Sequence, residues 1–313
     1  MHDDAASFVA RNQCPICRSS ALLNHYILDG LRTAICTDCG FMFTRDIRSP
    51  EDIHQYYVAG YDDKRQLDGQ TVNAAVNRKL LSLFALDLQG KSLLDVGSGY
   101  GMFLAQALDA GAQRVVGVEL SDAERRYSLQ ELRLETYRDF SEFKVDDQFD
   151  VITLFEVIEH IPEPREFIAS VAKYLKTSGS LIVGTDNFDC DVVKVLGDRF
   201  PKWIPHQHIS LFTSASLRST LEKISCLNIV GVASFTPWEL LARKIVFKAT
   251  GGRHGGKIFN LQAEETQETS RGYQFFALRR AFNGAWFKMT TRPNLNGEMM
   301  YVHAIKAHSR DAP

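Results

Sequence analysis

Two pairs of cysteines open the chemistry of this chain, Cys14-Pro15-Ile16-Cys17 and Cys36-Thr37-Asp38-Cys39, with eighteen residues between them. A Cys-x-x-Cys turn presents two thiolates to one ion, and two such turns complete a tetrahedron, the spacing of a zinc ribbon. Four sulfurs leave no position for water or substrate. The ion is therefore read as structural zinc, supplying folding energy that so short a segment lacks. The competing reading, two disulfides, belongs to an oxidising compartment. The start, Met1-His2-Asp3-Asp4, is acidic and lacks the basic and apolar runs of a signal peptide, so a cytoplasmic location is expected. Cys190 and Cys226 stand alone and read as buried, inert thiols.

A second constellation is Leu94-Asp95-Val96-Gly97-Ser98-Gly99-Tyr100-Gly101, an apolar run that enters alternating glycines. Such a turn lets backbone come close to a ligand at the carboxyl end of a strand. Twenty-four residues after Asp95, the run Val116-Gly117-Val118 ends in Glu119, whose carboxylate could accept two hydrogen bonds from a ribose diol. Further on, Glu156, Glu159 and His160 fall at spacings of three and four, on one face if a helical turn begins there. They could hold a divalent ion or orient a base; alternatively, Glu159 and His160 brace the loop. Residues 187–213 are long for a connection and suit a lid or substrate wall, with Trp203, His206, Gln207 and His208 clustered in them. Histidine titrates near neutrality and can take a proton, which makes His160, His206 and His208 the candidate bases, against a reading in which they only tie their loops in place. Tyr56, Tyr57 and Tyr61 either pack the N-terminal module against the rest or cover a bound cation. In the second case Tyr57 faces the substrate together with Trp203.

Positioning these groups requires strand tips. A short strand is expected over 40–44, a helix start at Ser49, and an amphipathic helix over 72–88. From 92 the signals alternate: strands at 92–96, 114–119, 149–155 and 180–185, helices at 102–110, 123–132 and 163–176. This alternation predicts an α/β fold with a parallel sheet covered on both faces. The organisation is read as a zinc-ribbon-like module (1–48), a helical linker and lid (49–90), a core (91–236), and a basic helical insertion with the last core strand (237–313). With 313 residues, 45% apolar and 24% charged, about two domains are allowed. A balance of 36 Lys+Arg against 38 Asp+Glu argues against a grip on nucleic acid, and no apolar run reaches the length of a membrane span.

Residues 91–186 resemble the core of class I S-adenosylmethionine-dependent methyltransferases, whose loop reads much like Asp95-Val96-Gly97-Ser98-Gly99-Tyr100-Gly101. The resemblance implies a Rossmann-like, seven-stranded, mostly parallel sheet and S-adenosyl-L-methionine as cofactor. The loop would lie against its methionine part, Glu119 beside Leu120 would bind the ribose, and Asp139 followed by Phe140 would meet the adenine, with Phe155 nearby. The run Phe149-Asp150-Val151-Ile152-Thr153-Leu154-Phe155-Glu156-Val157-Ile158-Glu159-His160-Ile161-Pro162 is similar to the fourth-strand motif of small-molecule methyltransferases, ubiquinone-pathway O-methyltransferases among them. The segment from Cys14 to Tyr61 resembles the zinc-binding leader of bacterial methyltransferases of deoxysugar, polysaccharide and secondary-metabolite pathways. His208-Ile209-Ser210-Leu211-Phe212-Thr213, before a helix at 216–224, is similar to a segment common in the same enzymes.

From Leu240 to Pro313 there are twelve basic and five acidic residues. The stretches 240–248 and 275–282 mix basic and large apolar side chains; they either cover the sheet edge or contact an anionic membrane surface. The loop 250–256 is a weak phosphate site. The expected function is O-methylation of a sugar, polysaccharide precursor or secondary metabolite, with a small-molecule acceptor that could be nucleotide- or lipid-linked. The alternatives are C-methylation of a nucleotide-linked keto-deoxysugar and a non-catalytic zinc-ribbon binding protein.

Overall fold

The computed structural model of the chain describes residues 8–59, 64–144, 147–252 and 276–307. The expectations placed on Tyr61, on 253–256 and on Phe275 lie outside the described residues. The two cysteine turns share one backbone pattern. In each, the amide four residues on returns to the first cysteine's carbonyl, Arg18 to Cys14 at 2.9 Å and Gly40 to Cys36 at 2.8 Å. The closing residue takes a positive φ, 65° at Arg18 and 71° at Gly40, which costs glycine nothing. Arg18 instead is tied down by Glu163 and Glu166, at 2.8 and 2.9 Å. Around these turns run β1 (Phe8–Ala10), β2 (Leu22–Leu28), β3 (Leu31–Cys36), β4 (Met42–Thr44) and β5 (Asp46–Arg48). Asp29 and Gly30, both at positive φ, close the β2–β3 hairpin as a two-residue turn that matches strand twist.

Helices α1 (Pro50–Ala59) and α2 (Lys64–Leu83) lead into β6 (Ser92–Val96), α3 (Met102–Asp109), β7 (Arg114–Val118), α4 (Asp122–Gln130), β8 (Glu135–Tyr137) and β9 (Phe149–Phe155). Next come α5 (Pro164–Val171), β10 (Leu175–Asp186), α6 (Asp191–Leu196), β11 (Ser210–Leu211), α7 (Ser214–Glu222) and β12 (Leu227–Phe235). Finally α8 (Trp238–Ala249) and α9 (Phe276–Thr290) precede β13 (Met299–Lys306). Seven strands form one sheet in the order β12-β13-β10-β9-β6-β7-β8. The neighbours from β10 to β8 are parallel, and β13 runs antiparallel to both its partners. This is the Rossmann-like, mostly parallel sheet that the resemblance implies. Residues 93–96, 115–118 and 151–154 are buried without interruption, as strands covered on both faces must be. Three segments differ from expectation. The helix over 72–88 runs instead from Lys64 to Leu83. The helix over 163–176 stops at Val171, and β10 begins already at Leu175 with an irregular register before Ser180, because Ser178 at φ 61° breaks the ladder. The long connection 187–213 is not structureless: it holds α6 and β11.

The N-terminal module does not end where its own strands end. β11 pairs antiparallel with β4, so the order β11-β4-β3-β2 takes a strand from far along the chain. Arg11 seals this junction. Its Nη1 donates to the Pro162 carbonyl at 2.9 Å, its Nη2 to Thr44 and Ile209 at 2.6 and 2.8 Å, and its Nε to Thr44 at 3.1 Å. The guanidinium also lies 4.7 Å over the Phe43 ring. Arg11→Met removes these donors and leaves inward-facing carbonyls unpaired, so it should cost about 2–4 kcal/mol. Urea unfolding followed by Trp203, which packs 5.5 Å from Tyr26 of β2, measures it; an unchanged midpoint refutes the role given to Arg11.

Candidate active site

All four N-terminal cysteines are free thiols, and their sulfurs lie within 4.8 Å of one another. Cys14–Cys39 and Cys17–Cys36 are each 3.5 Å apart. A disulfide would need about 2.05 Å, whereas sulfurs about 2.3 Å from a central zinc stand about 3.8 Å apart. Burial pushes the Cys14 thiol up to about 11, so a thiolate there needs a cation beside it. The set is compatible with one zinc ion.

The glycine loop follows from backbone requirements. Gly97, Gly99 and Gly101 take φ of 75°, 53° and 81°, and the amides of Gly97 and Ser98 both return to the Val118 carbonyl, at 2.8 and 3.1 Å. The loop thus folds over the tip of β7, where Glu119 receives it. Glu119 Oε2 accepts the Gly99 N–H and Oε1 the Ser121 N–H, both at 2.8 Å, leaving each oxygen a lone pair for a hydroxyl donor. Burial raises the Glu119 carboxyl against the pull of these amides. Beneath the loop, Asp95 is 4% exposed and accepts from Thr153 Oγ1 at 2.6 Å; burial pushes it up to about 8. A Cβ at Gly97 would stand 2.5 Å from Val157, and one at Gly99 2.2 Å from Gln70 Oε1. Gln70 of α2 closes the cradle, accepting the Tyr100 N–H at 2.8 Å and donating to Glu124 at 2.7 Å. Leu120 is half-buried beside Glu119, and the Ser98 hydroxyl is buried with no hydrogen-bond partner. Past β8, Asp139 accepts the Ser141 hydroxyl at 2.5 Å and the Ser141 N–H at 2.7 Å, which together hold its carboxyl below the usual range. Phe140 stacks on Tyr174 at 5.1 Å, and Phe155 meets Phe103 edge-on at 5.2 Å.

Beyond the tips of β9 and β10 the charged groups gather. His160 Nδ1–H donates to the Gln207 carbonyl and His208 Nδ1–H to that of Lys202, both at 3.0 Å. Each imidazole therefore keeps Nε2 as its basic nitrogen. Their rings are 5.0 Å apart. Glu159, 1% exposed, accepts from Thr185 Oγ1 at 2.8 Å, and it offers a ligand atom within 4.8 Å of those of His160 and His208. Glu156 is not brought to this group: at φ 56° it turns toward Lys202 Nζ, 4.0 Å away. Lys202 also pairs with Asp186 and, at 3.0 Å, with Glu298.

These environments set the protons. Burial lowers the Lys202 ammonium, but Asp186, Glu298 and Glu156 outweigh it and raise it well above the ordinary lysine value. Burial pushes the Glu298 carboxyl up to about 8. Burial, with His160 adjacent, lowers His208 to about 3; burial also lowers His160, against the Gln207 carbonyl and Asp186. Glu159 is raised well above the usual range by burial and by Asp186 and Glu156. Near neutrality both histidines are uncharged. Tyr57 lies edge-on 5.7 Å from His160. Trp203 is 9% exposed, donates to the Gly197 carbonyl and packs on Phe188 at 4.8 Å, and Phe188 in turn lies 6.3 Å from His208. His206 stands apart from the pair, 6.1 Å from Phe8. Asp186, Lys202, Glu298 and Gln70 went unseen in the sequence; only Asp186, at the carboxyl tip of β10, carried a signal, since ligands bind at such tips.

Asp95 yields a stability test. A carboxyl whose pKa rises from about 4 unfolded to about 8 folded binds a proton only in the folded state across that window, so its contribution declines as pH rises. Asp95→Asn removes the titration. Urea midpoints at about pH 6 and about pH 8.5 should show the variant gaining on the wild type at the higher pH; a constant difference contradicts the assignment.

A family model described as "Methyltransferase domain" matches residues 67–226, just over half the chain. Among curated relatives, the ubiquinone biosynthesis O-methyltransferase of Idiomarina loihiensis is 33% identical over 39% of this chain and 55% of its own length. The enzyme of that name from Pasteurella multocida is 28% identical over 46% of this chain and 69% of its own. The chain spans about half the length of the curated relatives it matches. Among solved structures, a SAM dependent methyltransferase from Archaeoglobus fulgidus covers 78% of this chain and 100% of its own, at 16% identity and a TM-score of 0.47. With the sheet order, the glycine loop and the family match in agreement, the chain belongs to the methyltransferase-domain family.

Proposed function

We propose that the protein is an S-adenosylmethionine-dependent methyltransferase that acts on an oxygen of a polar small molecule, such as a sugar, a polysaccharide precursor or a secondary metabolite, with a structural zinc ion on Cys14, Cys17, Cys36 and Cys39. The observation that carries the reading is Glu119: a carboxylate fastened by the Gly99 and Ser121 amides at the mouth of a loop made of left-handed glycines. When bound, S-adenosylmethionine supplies an electrophilic methyl group on a sulfonium. The chain supplies position and proton transfer. The loop from Gly97 to Gly101 takes the methionine part, Glu119 the ribose hydroxyls and Asp139 the adenine amino group, with Leu120, Phe140 and Phe155 lining the site. His160 Nε2, its ring fixed through Nδ1 by Gln207, accepts the acceptor's hydroxyl proton, and the Asp186 carboxylate favours the resulting imidazolium. The charged wall of Glu156, Asp186, Lys202 and Glu298 suits a hydroxyl-rich acceptor better than an apolar one. C-methylation next to a carbonyl is the second reading, in which the same imidazole takes a carbon-bound proton.

Two measurements test this. Calorimetric titration with S-adenosylhomocysteine should show binding that Gly99→Arg abolishes and Glu119→Ala weakens about 10- to 100-fold. Unaltered binding by both variants removes the basis of the reading. In a methyl-transfer screen over sugar and phenol acceptors, His160→Ala should then lower turnover by about 10²–10⁴-fold with that binding intact.

Metal analysis should find about one zinc per chain, lost together with the native N-terminal fold on Cys14→Ser or Cys39→Ser. Metal-free protein with an unaltered unfolding midpoint would overturn the zinc assignment.

A further inference from the structure

Between the end of β5, helix α1 and the loop leading to His208 lies a shallow open pocket, about 250 Å³ with the adjoining open solvent included, bordered by Arg48, Tyr56, Tyr57, His160, His206 and Gln207. Among the described residues no carboxylate borders it. Arg48 is half-buried and its guanidinium lies 5.7 Å over the Tyr56 ring. Among the described residues it pairs with no acid, and its Nε is buried without a hydrogen-bond partner. Arg11, Arg18, Arg32 and Arg114, by contrast, all have oxygen partners. The Nδ1 of His206 in the same pocket is likewise buried and unpartnered. Two residues of one pocket lining that each carry a buried, unsatisfied nitrogen are rare in a folded chain and require an explanation. An anion with several acceptor oxygens satisfies both, and a guanidinium is the side chain best matched to it.

The pocket also has a direction. His160 borders it, while the acids Glu156, Asp186 and Glu298 gather around Lys202, outside the pocket lining. We infer that the pocket holds a phosphate group of a phosphorylated acceptor, with Arg48 and His206 as donors, so that the part of the acceptor to be methylated lies at His160. The phosphate belongs either to a nucleoside diphosphate or to a lipid diphosphate carrier. This rests on the methyltransferase reading for what happens at His160, but the anion site stands on its own geometry.

The test uses the full zinc-loaded chain, titrated calorimetrically with inorganic pyrophosphate, UDP and geranyl diphosphate, with and without S-adenosylhomocysteine. Pyrophosphate should bind, and Arg48→Gln should weaken it about tenfold or more, while zinc content and S-adenosylhomocysteine affinity stay unchanged. His206→Ala should weaken it to a lesser extent, and Lys223→Gln, on an exposed residue of α7's C-terminal end, should not. UDP binding tighter than pyrophosphate assigns a nucleotide-linked acceptor; tighter geranyl diphosphate assigns a lipid-linked one. If none of the three binds at about 10 mM, or if Arg48→Gln and His206→Ala both bind pyrophosphate as the wild type does, the inference is overturned. Failure of S-adenosylhomocysteine to bind would sink the methyltransferase reading and leave the anion site to be decided by the pyrophosphate arm.

Discussion

Arg11 carries its charge into the seam between the N-terminal module and the sheet and is held there by carbonyl oxygens of Thr44, Pro162 and Ile209. Burial pulls its guanidinium down to about 10, still charged near neutrality, so its donors remain available to those carbonyls. Pro162 lies two residues after His160, and Ile209 directly follows His208. The same cation that anchors β4 therefore fixes the backbone on which both histidines stand. Further bonds run parallel to it: Thr44 Oγ1 donates to the His208 carbonyl at 3.2 Å, Ser210 Oγ to that of Ile161 at 2.7 Å, and the Ile209 amide to that of Glu159 at 2.8 Å. The cysteine turns, the four-stranded sheet and the two histidine loops form one continuous hydrogen-bonded unit.

That unit divides the labour of the site. The parallel sheet fixes the glycine loop and Glu119 by rules any doubly wound sheet obeys, because the loop leaves at a strand's carboxyl end. The proposed acceptor side is built outside that sheet, from the exit of β5, helix α1 and the connection from α6 to β11. Its charges are segregated, with an arginine and an unpartnered imidazole at one end and an acid-rich cluster about Lys202 at the other. In a low-dielectric pocket such separation orients a polar ligand more strongly than in water.

The core was legible because its signals were local. Strand tips, alternating glycines and an acid at the next tip all follow from short-range backbone and burial constraints, and the structure lays the loop of Gly97, Gly99 and Gly101 over the tip of β7 against Glu119. The pairing of the cysteine turns was legible for the same reason. What stayed hidden depended on distant partners. Lys202 and Glu298 are nearly a hundred residues apart, and neither has a neighbour in sequence that marks it as buried. Residues 187–213 read as one loop because α6 is short, and β11 has only two residues, whose strand character comes from β4 and not from themselves. Glu156 was grouped with Glu159 by helical spacing, but its left-handed backbone breaks the spacing on which that grouping relied.

The loan of β11 to the N-terminal sheet has a consequence in time. β4 leaves the ribosome early, with Phe41 and Phe43, both fully buried in the finished protein. Its partner strand at Ser210–Leu211 is synthesised about 165 residues later. At roughly 5–20 residues per second, that edge waits on the order of ten to thirty seconds without its neighbour. Throughout that interval the hairpin of β2 and β3 has only its own turn, its pairing with β4, the Arg32–Asp46 contact and the two cysteine turns to hold it, so early capture of a metal ion would help shield an apolar strand edge from pairing with the wrong chain.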